Sequence, residues 1–309
     1  MEYVLRTHSL TKVYKGRAAC NNVSVNVPKG GIYGFIGQNG AGKTTLIRMI
    51  AGLARPDGGS IELFGQSSEA ELERMRVRLG CMIEAPSFYP NMTAKQNLEA
   101  HRIMLGIPEH ESVNVVLKIV NLDYTGNKKA KNFSLGMKQR LGLAISLLGN
   151  PDILLLDEPT NGLDPQGIKE IRELLHKLSS EYGISILISS HILSELEKFA
   201  THYGVISNGV LVDEFSAGEL AIRCKQCIEI KANDPKHAAF ILETKLGATN
   251  YTVMSDGIIK LYEMLDRAGE INSVLAKNDL IVERITSGGQ DLESYFVSLM
   301  STQEGHANV

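Results

Sequence analysis

Short apolar runs and longer amphipathic segments alternate along the first two thirds of the chain, up to Ser216. Three apolar runs are bounded by Gly, Pro or charged residues and are typical of buried strands: Ile32–Ile36, Ile153–Leu156 and Ile184–Ile188. Apolar residues at helical spacing predict helices over Thr44–Leu53, Ser134–Leu148, Pro165–Ser180 and His191–Phe199. Because strands and helices alternate, we expect a largely parallel sheet with helices on its faces.

The segment between Glu69 and Lys131 breaks this alternation, because its apolar residues recur almost only at helical spacing. The predicted helices here are Ala70–Leu79, Ala94–Leu105 and Ser112–Val120. The pattern therefore predicts an all-helical insertion between two halves of the α/β core, which we place at about residues 69–150.

A different pattern begins after Ser216, where a short helix, Ala217–Arg223, is followed by the order β-α-β-β-α-β. The predicted strands and helices are Cys227–Lys231, Pro235–Leu246, Tyr251–Met254, Ile258–Tyr262, Met264–Lys277 and Leu280–Ile285. A last helix would place Leu292, Tyr295, Phe296 and Leu299 on one face. We therefore expect an α/β domain over residues 1–216 and a small α+β domain of the ferredoxin-like type over residues 217–309.

The composition is that of a globular protein with a sizeable core, since 43% of its 309 residues are hydrophobic and 22% are charged. This excludes a disordered chain and a small disulfide-stapled one. The net charge of −3 argues against a protein that mainly neutralises nucleic-acid phosphates, so we expect no nucleic-acid partner.

No apolar stretch is long enough to span a bilayer, and the first residues carry no signal-peptide core. We therefore expect a cytoplasmic chain that does not itself cross the membrane. Its four cysteines fit a reducing compartment. Cys224 and Cys227 form a lone CxxC pair, which we interpret as two thiols beside a strand, with a metal site as the alternative.

A phosphate-binding loop follows the first buried strand and opens the first helix. Residues 37–44, Gly-Gln-Asn-Gly-Ala-Gly-Lys-Thr, fit the pattern G-x-x-x-x-G-K-[ST]. The glycines let backbone N–H groups approach phosphate oxygens, and the helix N-terminus adds its positive dipole end. Lys43 is predicted to neutralise the β- and γ-phosphates, and the Thr44 hydroxyl to bind Mg²⁺. The predicted nucleotide-binding residues of this loop are Gly37, Asn39, Gly40, Ala41, Gly42, Lys43, Thr44 and Thr45.

Two acidic residues end the second buried strand, where they can complete the site. Asp157 stands at the carboxyl end of Ile153–Leu156, a position from which its carboxylate can hold the Mg²⁺ shell. Glu158 follows directly and is predicted to act as a general base on the attacking water.

The segment Phe133-Ser134-Leu135-Gly136-Met137-Lys138-Gln139-Arg140 resembles the signature of ABC transporter ATP-binding subunits, Leu-Ser-Gly-Gly-Gln followed by a basic run. Leu135 replaces the first glycine of that signature, and Met137 replaces the glutamine. Ser134 and Gly136 are kept at the start of a helix, where the resemblance implies that they offer a hydroxyl and backbone N–H groups to a γ-phosphate.

Other motifs of that family follow in order. The resemblance implies that Tyr14 stacks on adenine, with a surface tyrosine as the alternative. It also implies that Asp164, in Gly162-Leu163-Asp164, communicates across an ATPase dimer, and that His191 senses the γ-phosphate. In this family ATP lies between two copies of the domain arranged head to tail, so the resemblance implies a second copy as partner, with ATP and Mg²⁺ as cofactors.

One departure from the family pattern lies near the start of the helical insertion. Aligning Leu79–Pro86 on the loop that usually carries a glutamine puts Glu84 at the glutamine position, where the resemblance implies a metal contact. A shifted alignment would leave Glu84 a surface acid. The chain resembles the ATPase subunits of bacitracin-export and lantibiotic-immunity transporters in this glutamate and in the segments Ser134–Arg140 and Asn161–Pro165. Residues 291–296 also resemble the bacitracin-type members.

The resemblance implies an ATPase that drives a separate membrane permease and removes peptide antibiotics, located on the inner face of the cell membrane. The segment from Glu84 to Met92 and the helix after it are expected to form the docking surface for the permease.

One alternative is a sensory ATPase in which residues 217–309 regulate an antibiotic response. Another is an ABC ATPase without a permease, which the single phosphate loop disfavours. Residues 217–309 could also only stabilise the dimer or pack on the core.

Overall fold

The computed structural model describes residues 2–288 and residues 295–296. Within them the chain divides into two compact units, with the boundary between Ala217 and Gly218. No helix in these described segments has both the length and the hydropathy that a membrane crossing requires.

A six-stranded sheet forms the centre of the first unit and carries the nucleotide loop. Its order is β10-β9-β4-β8-β7-β6, and its strands are β4 (Ile32–Ile36), β6 (Leu79–Met82), β7 (Ile153–Asp157), β8 (Ser185–Ser190), β9 (His202–Ser207) and β10 (Val210–Ser216). All neighbouring strands are parallel except β9 and β10. Every residue of β4, β7 and β8 is buried, as expected for strands covered on both faces. The predicted parallel α/β core is confirmed.

Among the residues that the structure describes, seven α-helices accompany this sheet in the first unit: α1 (Lys43–Ile50), α2 (Glu69–Arg76), α3 (Ala94–Met104), α4 (Glu111–Ile119), α5 (Leu135–Leu147), α6 (Pro165–Ser180) and α7 (Leu193–Leu196). The helix predicted over His191–Phe199 is much shorter than expected. Its first residues are instead held in a turn, because the Ser190 hydroxyl accepts a hydrogen bond from Ile192 N and donates one to Ile192 O.

The prediction that residues 69–150 are wholly helical is wrong, because β6 lies within them and pairs in parallel with β7. Leu79 continues the apolar spacing of Leu72 and Met75, which hid this four-residue strand from the pattern. Gly80 lets β6 pack closely against α5, because a Cβ at this position would lie 2.2 Å from the carbonyl oxygen of Ser146 in α5.

An antiparallel sheet in the first unit was missed by the sequence analysis. Its strands are β1 (Tyr3–Tyr14), β2 (Arg17–Val23), β3 (Asn26–Pro28) and β5 (Gly58–Leu63), and β1 pairs with the other three. The buried positions of β1 do not alternate regularly, since its pairings with β2 and β5 carry register shifts and Ser9 has a φ of 49°. This interruption removes the two-residue period on which strand prediction depends.

The described part of the second unit contains a four-stranded antiparallel sheet accompanied by helices. Its elements are β11 (Cys227–Ala232), α9 (Pro235–Leu246), β12 (Tyr251–Val253), β13 (Ile259–Leu261), α10 (Ala268–Lys277) and β14 (Val282–Gly288), preceded by α8 (Ala217–Arg223). The strand order is β12-β13-β11-β14, the arrangement of a split β-α-β unit. Its apolar core joins β11 and β13 to the two longer helices. Of the predicted last helix, Leu292 and Leu299 lie outside the described residues.

Candidate nucleotide site

The phosphate loop connects β4 to α1 in a conformation that only glycine permits. Gly42 has a φ of 112°, and a Cβ there would lie 2.2 Å from the carbonyl oxygen of Ala19 in β2. A Cβ at Gly37 would lie 2.5 Å from the carbonyl oxygen of Ile206 in β9. Helix α1 has no side-chain cap and no acidic residue in its first turn, so its first N–H groups are left for an anion such as phosphate.

Lys43 lies in the loop with its side chain only 5% exposed. Its ammonium group donates hydrogen bonds to the carbonyl oxygens of Gly37 at 2.6 Å and Gln38 at 3.1 Å. The same Nζ atom is 3.1 Å from Oε1 of Glu158. The ammonium group is therefore held over the loop, where phosphate oxygens would be bound.

Thr44, in the first turn of α1, contacts Asp157, at the end of β7. The Thr44 hydroxyl donates a hydrogen bond of 2.7 Å to Oδ2 of Asp157, whose residue is 3% exposed. A hydroxyl and a carboxylate oxygen are the hard ligands that Mg²⁺ takes when waters and substrate phosphates supply the rest. No cluster of three or more His, Cys, Asp or Glu within the described residues could hold a metal by itself. The donor set therefore fits Mg²⁺ bound together with a nucleotide.

Glu158 connects Lys43 to His191. Its Oε2 atom is 2.7 Å from Nδ1 of His191, and because a carboxylate only accepts, this nitrogen carries the hydrogen. Glu158 itself has a φ of 50°, a left-handed conformation that costs on the order of 1–3 kcal/mol outside glycine. Such backbone strain is typical of functional sites, and here it turns the carboxylate toward the lysine and the histidine.

Tyr14 lies at the end of β1, with 46% of the residue exposed. The ammonium group of Lys12 is 5.4 Å from the centroid of its ring. An exposed aromatic face of this kind can stack on a purine base. Its adenine contact stays a prediction.

The signature residues occupy a second cluster. Ser134 caps α5 by accepting a hydrogen bond of 3.2 Å from Met137 N, and Asp164 caps α6 by accepting one of 3.1 Å from Gly167 N. A Cβ built at Gly162 would lie 3.3 Å from Cδ2 of Leu135, so the two loops are neighbours. Throughout the described segments, no hydrogen bond or ion pair joins Ser134 or Asp164 to the phosphate loop.

Glu84 has a φ of 62° and a side chain that is 61% exposed. Its carboxylate accepts a hydrogen bond from the guanidinium group of Arg48 in the last turn of α1. In the part of the chain that the structure describes, no hydrogen bond joins it to Thr44 or Asp157. The metal contact of Glu84 therefore stays a prediction, and the structure gives this residue a cationic partner instead.

Two residues that contact predicted site residues were missed by the sequence analysis, Arg48 and Ser189. Arg48 was missed because its contact with Glu84 joins segments 36 positions apart. Ser189 lies in β8 beside Asp157, and the sequence pattern gave it no role of its own. A hydroxyl at the end of an otherwise apolar strand was the available signal.

Comparison with known proteins agrees with these motifs. A sequence profile described as ABC transporter matches residues 20–161. The chain is 43% identical over 300 residues to the bacitracin transport ATP-binding protein BcrA of Bacillus licheniformis, covering 97% of this chain and 98% of that protein. It is 44% identical over 212 residues to the lantibiotic transport ATP-binding protein SrtF of Streptococcus pyogenes, covering 68% of this chain and 90% of that one.

A similar solved structure is described as a dimeric post-hydrolysis state of an ATP-binding cassette bound to ADP and phosphate. It aligns with a TM-score of 0.62 and 26% identity, covering 69% of this chain and 98% of that chain.

Proposed function

The chain belongs to the ABC transporter ATP-binding proteins and is an ATPase, and we propose that it drives a separate membrane permease that exports bacitracin-type or lantibiotic-type peptide antibiotics. The proposed substrate class rests on one observation, the similarity to a bacitracin transport protein. This similarity covers 97% of the chain and so extends beyond the first unit. The similarity to a lantibiotic transport protein covers 68% of the chain and supports peptide antibiotics as the wider class.

The proposed mechanism assigns one task to each residue around the phosphate loop. Thr44 and Asp157 would hold Mg²⁺, which when bound neutralises charge on the β- and γ-phosphates. Glu158 would accept a proton from the attacking water, since its carboxylate is fixed at the end of β7. Lys43 and His191, both in contact with Glu158, would stabilise the charge that develops on the transferred phosphoryl group.

A second copy of the chain is proposed to complete the site in a head-to-tail dimer. In the part of the chain that the structure describes, Ser134 and Asp164 bond only to the helices they cap, and Leu135 beside them is 46% exposed. This leaves the signature surface available for the phosphate side of another copy. The similarity to a cassette structure described as dimeric supports this arrangement.

The docking surface for the permease is proposed at the segment from Glu84 to Met92 and helix α3, which would place the chain on the inner face of the membrane. Tyr89, Met92 and Ile103 present exposed apolar side chains there. A groove of about 910 Å³ lies between Met92, Ile103 and Lys129. Exposed apolar surface with a polar rim is typical of a protein-binding site.

A growth-inhibition panel of peptide antibiotics, bacitracin and a lantibiotic included, tests the proposed function in the native cell. Wild type is compared with Glu158→Gln at equal protein level, and with Glu181→Gln, an exposed acid at the end of α6, as the matched control. The proposal expects Glu158→Gln alone to become sensitive to one antibiotic class. Unchanged sensitivity throughout would contradict the export role. Loss of the transcriptional response to the antibiotic with intact export, after truncation at Ala217, would favour the sensory alternative.

A further inference from the structure

Ser189 is a buried hydroxyl beside the catalytic acids that no motif assigns. It lies in β8, directly opposite Asp157 of β7 in the parallel register, and it is 0% exposed. Its oxygen donates a hydrogen bond of 2.6 Å to Oδ1 of Asp157 and accepts one of 3.0 Å from the backbone N–H of Glu158. One hydroxyl thus contacts both residues of the acidic pair.

The bond to Asp157 fixes the plane of the carboxylate. Oδ1 is bound by Ser189, and Oδ2 is bound by Thr44 at 2.7 Å. Because a hydroxyl has a single proton and here it points at Oδ1, Ser189 can only accept from Glu158 N. The direction of the whole chain of bonds is therefore determined, and Oδ2 is the oxygen presented toward the phosphate loop.

The bond from Glu158 fixes the backbone turn. Glu158 adopts a left-handed φ of 50°, and its partly buried N–H donates to the Ser189 hydroxyl. Ser189 therefore supports the strained turn that brings the Glu158 carboxylate to Nζ of Lys43 at 3.1 Å and to Nδ1 of His191 at 2.7 Å.

We propose that Ser189 is a positioning residue for ATP hydrolysis, which orients the Asp157 carboxylate toward the metal side and holds Glu158 in its left-handed turn. It acts through these two residues, and among the described residues no hydrogen bond joins its hydroxyl to Lys43, Thr44 or His191. Supporting groups that orient a metal ligand in this way typically change metal affinity or activity about 10- to 100-fold when removed.

The test compares Ser189→Ala and Ser189→Thr with Ser185→Ala in the purified full-length protein. Ser185 is the matched control, because it is a fully buried hydroxyl on the same strand, and it accepts a hydrogen bond of 2.8 Å from Gly30 N away from the site. We expect Ser189→Ala to lower kcat about 10- to 100-fold with the KM for ATP changed less than about threefold. Ser189→Thr keeps the hydroxyl and should restore kcat to within about threefold.

A second readout does not depend on turnover. The Mg²⁺ concentration that half-saturates the complex with a fluorescent ADP analogue should rise about 10-fold in Ser189→Ala and remain unchanged in Ser185→Ala. A kcat within twofold of wild type for Ser189→Ala would overturn the proposal. Equal losses of kcat in Ser189→Ala and Ser185→Ala would also overturn it, because both would then report general destabilisation. If Ser189→Ala does not fold, Ser189→Gly, which also lacks the hydroxyl, replaces it with the same outcomes.

Discussion

The Thr44 hydroxyl donates a hydrogen bond to Oδ2 of Asp157 across a sequence separation of 113 residues. One partner begins α1 after the phosphate loop, and the other ends β7. The two groups that would share Mg²⁺ are therefore already in place in the fold. This preorganisation is what electrostatic catalysis of phosphoryl transfer requires.

Replacing Thr44 by Val should lower ATP hydrolysis about 100-fold, equivalent to about 2.7 kcal/mol of lost transition-state stabilisation. Valine keeps the shape of threonine but removes the hydroxyl that contacts Asp157. Thr44→Ser keeps the hydroxyl and is the control, with activity close to wild type. The measurement is the steady-state rate of phosphate release as a function of Mg²⁺ concentration. Equal activity of the two variants would contradict the role of the hydroxyl.

Mixing two inactive variants should restore activity if the site spans two chains. Lys43→Ala damages the phosphate loop, and Ser134→Ala damages the signature. In a mixed dimer one site carries both changes and the other carries neither, so random mixing should recover about a quarter of the wild-type sites. Phosphate release is measured for each variant alone and for the equimolar mixture. A mixture no faster than the average of the separate variants would contradict the shared site.

If Glu84 contacts the metal, replacing it should lower kcat more than replacing its partner Arg48. An exposed ion pair contributes only about 0–1 kcal/mol, so Arg48→Ala should change the free energy of unfolding by less than about 1 kcal/mol and retain ATPase activity. Glu84→Ala should lower kcat about 10-fold. Arg78→Ala, which breaks another exposed pair with Asp152, is the control for stability. Equal effects of Arg48→Ala and Glu84→Ala on kcat would contradict the metal contact and identify Glu84 as a surface acid.

Alkaline pH should weaken the fold through Cys20, which lies beneath the phosphate loop. Burial raises the pKa of its thiol from 9.0 to about 12, and its Sγ atom is 3.5 Å from the carbonyl oxygen of Gly42. The pKa of about 12 belongs to the folded state, whereas the thiol of the unfolded chain ionises near pH 9. The contribution of Cys20 to the free energy of unfolding is therefore fully present below pH 9 and is lost as the pH rises toward 12. Between pH 7 and pH 10 this group alone should lower the free energy of unfolding by about 1.4 kcal/mol.

Urea unfolding of wild type and Cys20→Ala at pH 7 and pH 10 measures this contribution. The variant should lose about 1.4 kcal/mol less than wild type between the two pH values, because it has no thiol to ionise. Other buried groups, Tyr33 among them, titrate equally in both proteins and cancel in the difference. Identical pH dependence of the two proteins would contradict the role of Cys20.

The local features of the site could be predicted from the sequence, whereas its long-range contacts could not. The phosphate loop is contiguous in the sequence. The fully buried strands β4 and β7 position the two halves of the site, which are the phosphate loop and the acidic pair. Strand β6 was missed because Leu79 extends a helical period, and β1 was missed because bulges interrupt its alternation. The contacts of Ser189 with Asp157 and of Arg48 with Glu84 depend on which strands and loops become neighbours in the fold. A pattern within one segment carries no information on these pairings.

The role of Glu158 as the base in ATP hydrolysis is tested by comparing ATP binding and turnover in Glu158→Gln with those of wild type. The amide keeps the size of the side chain but cannot accept the proton. We predict an ATP dissociation constant within about threefold of wild type, a turnover rate at least about 100-fold lower, and ATP-dependent dimers that persist in gel filtration. Normal turnover by Glu158→Gln would contradict the account.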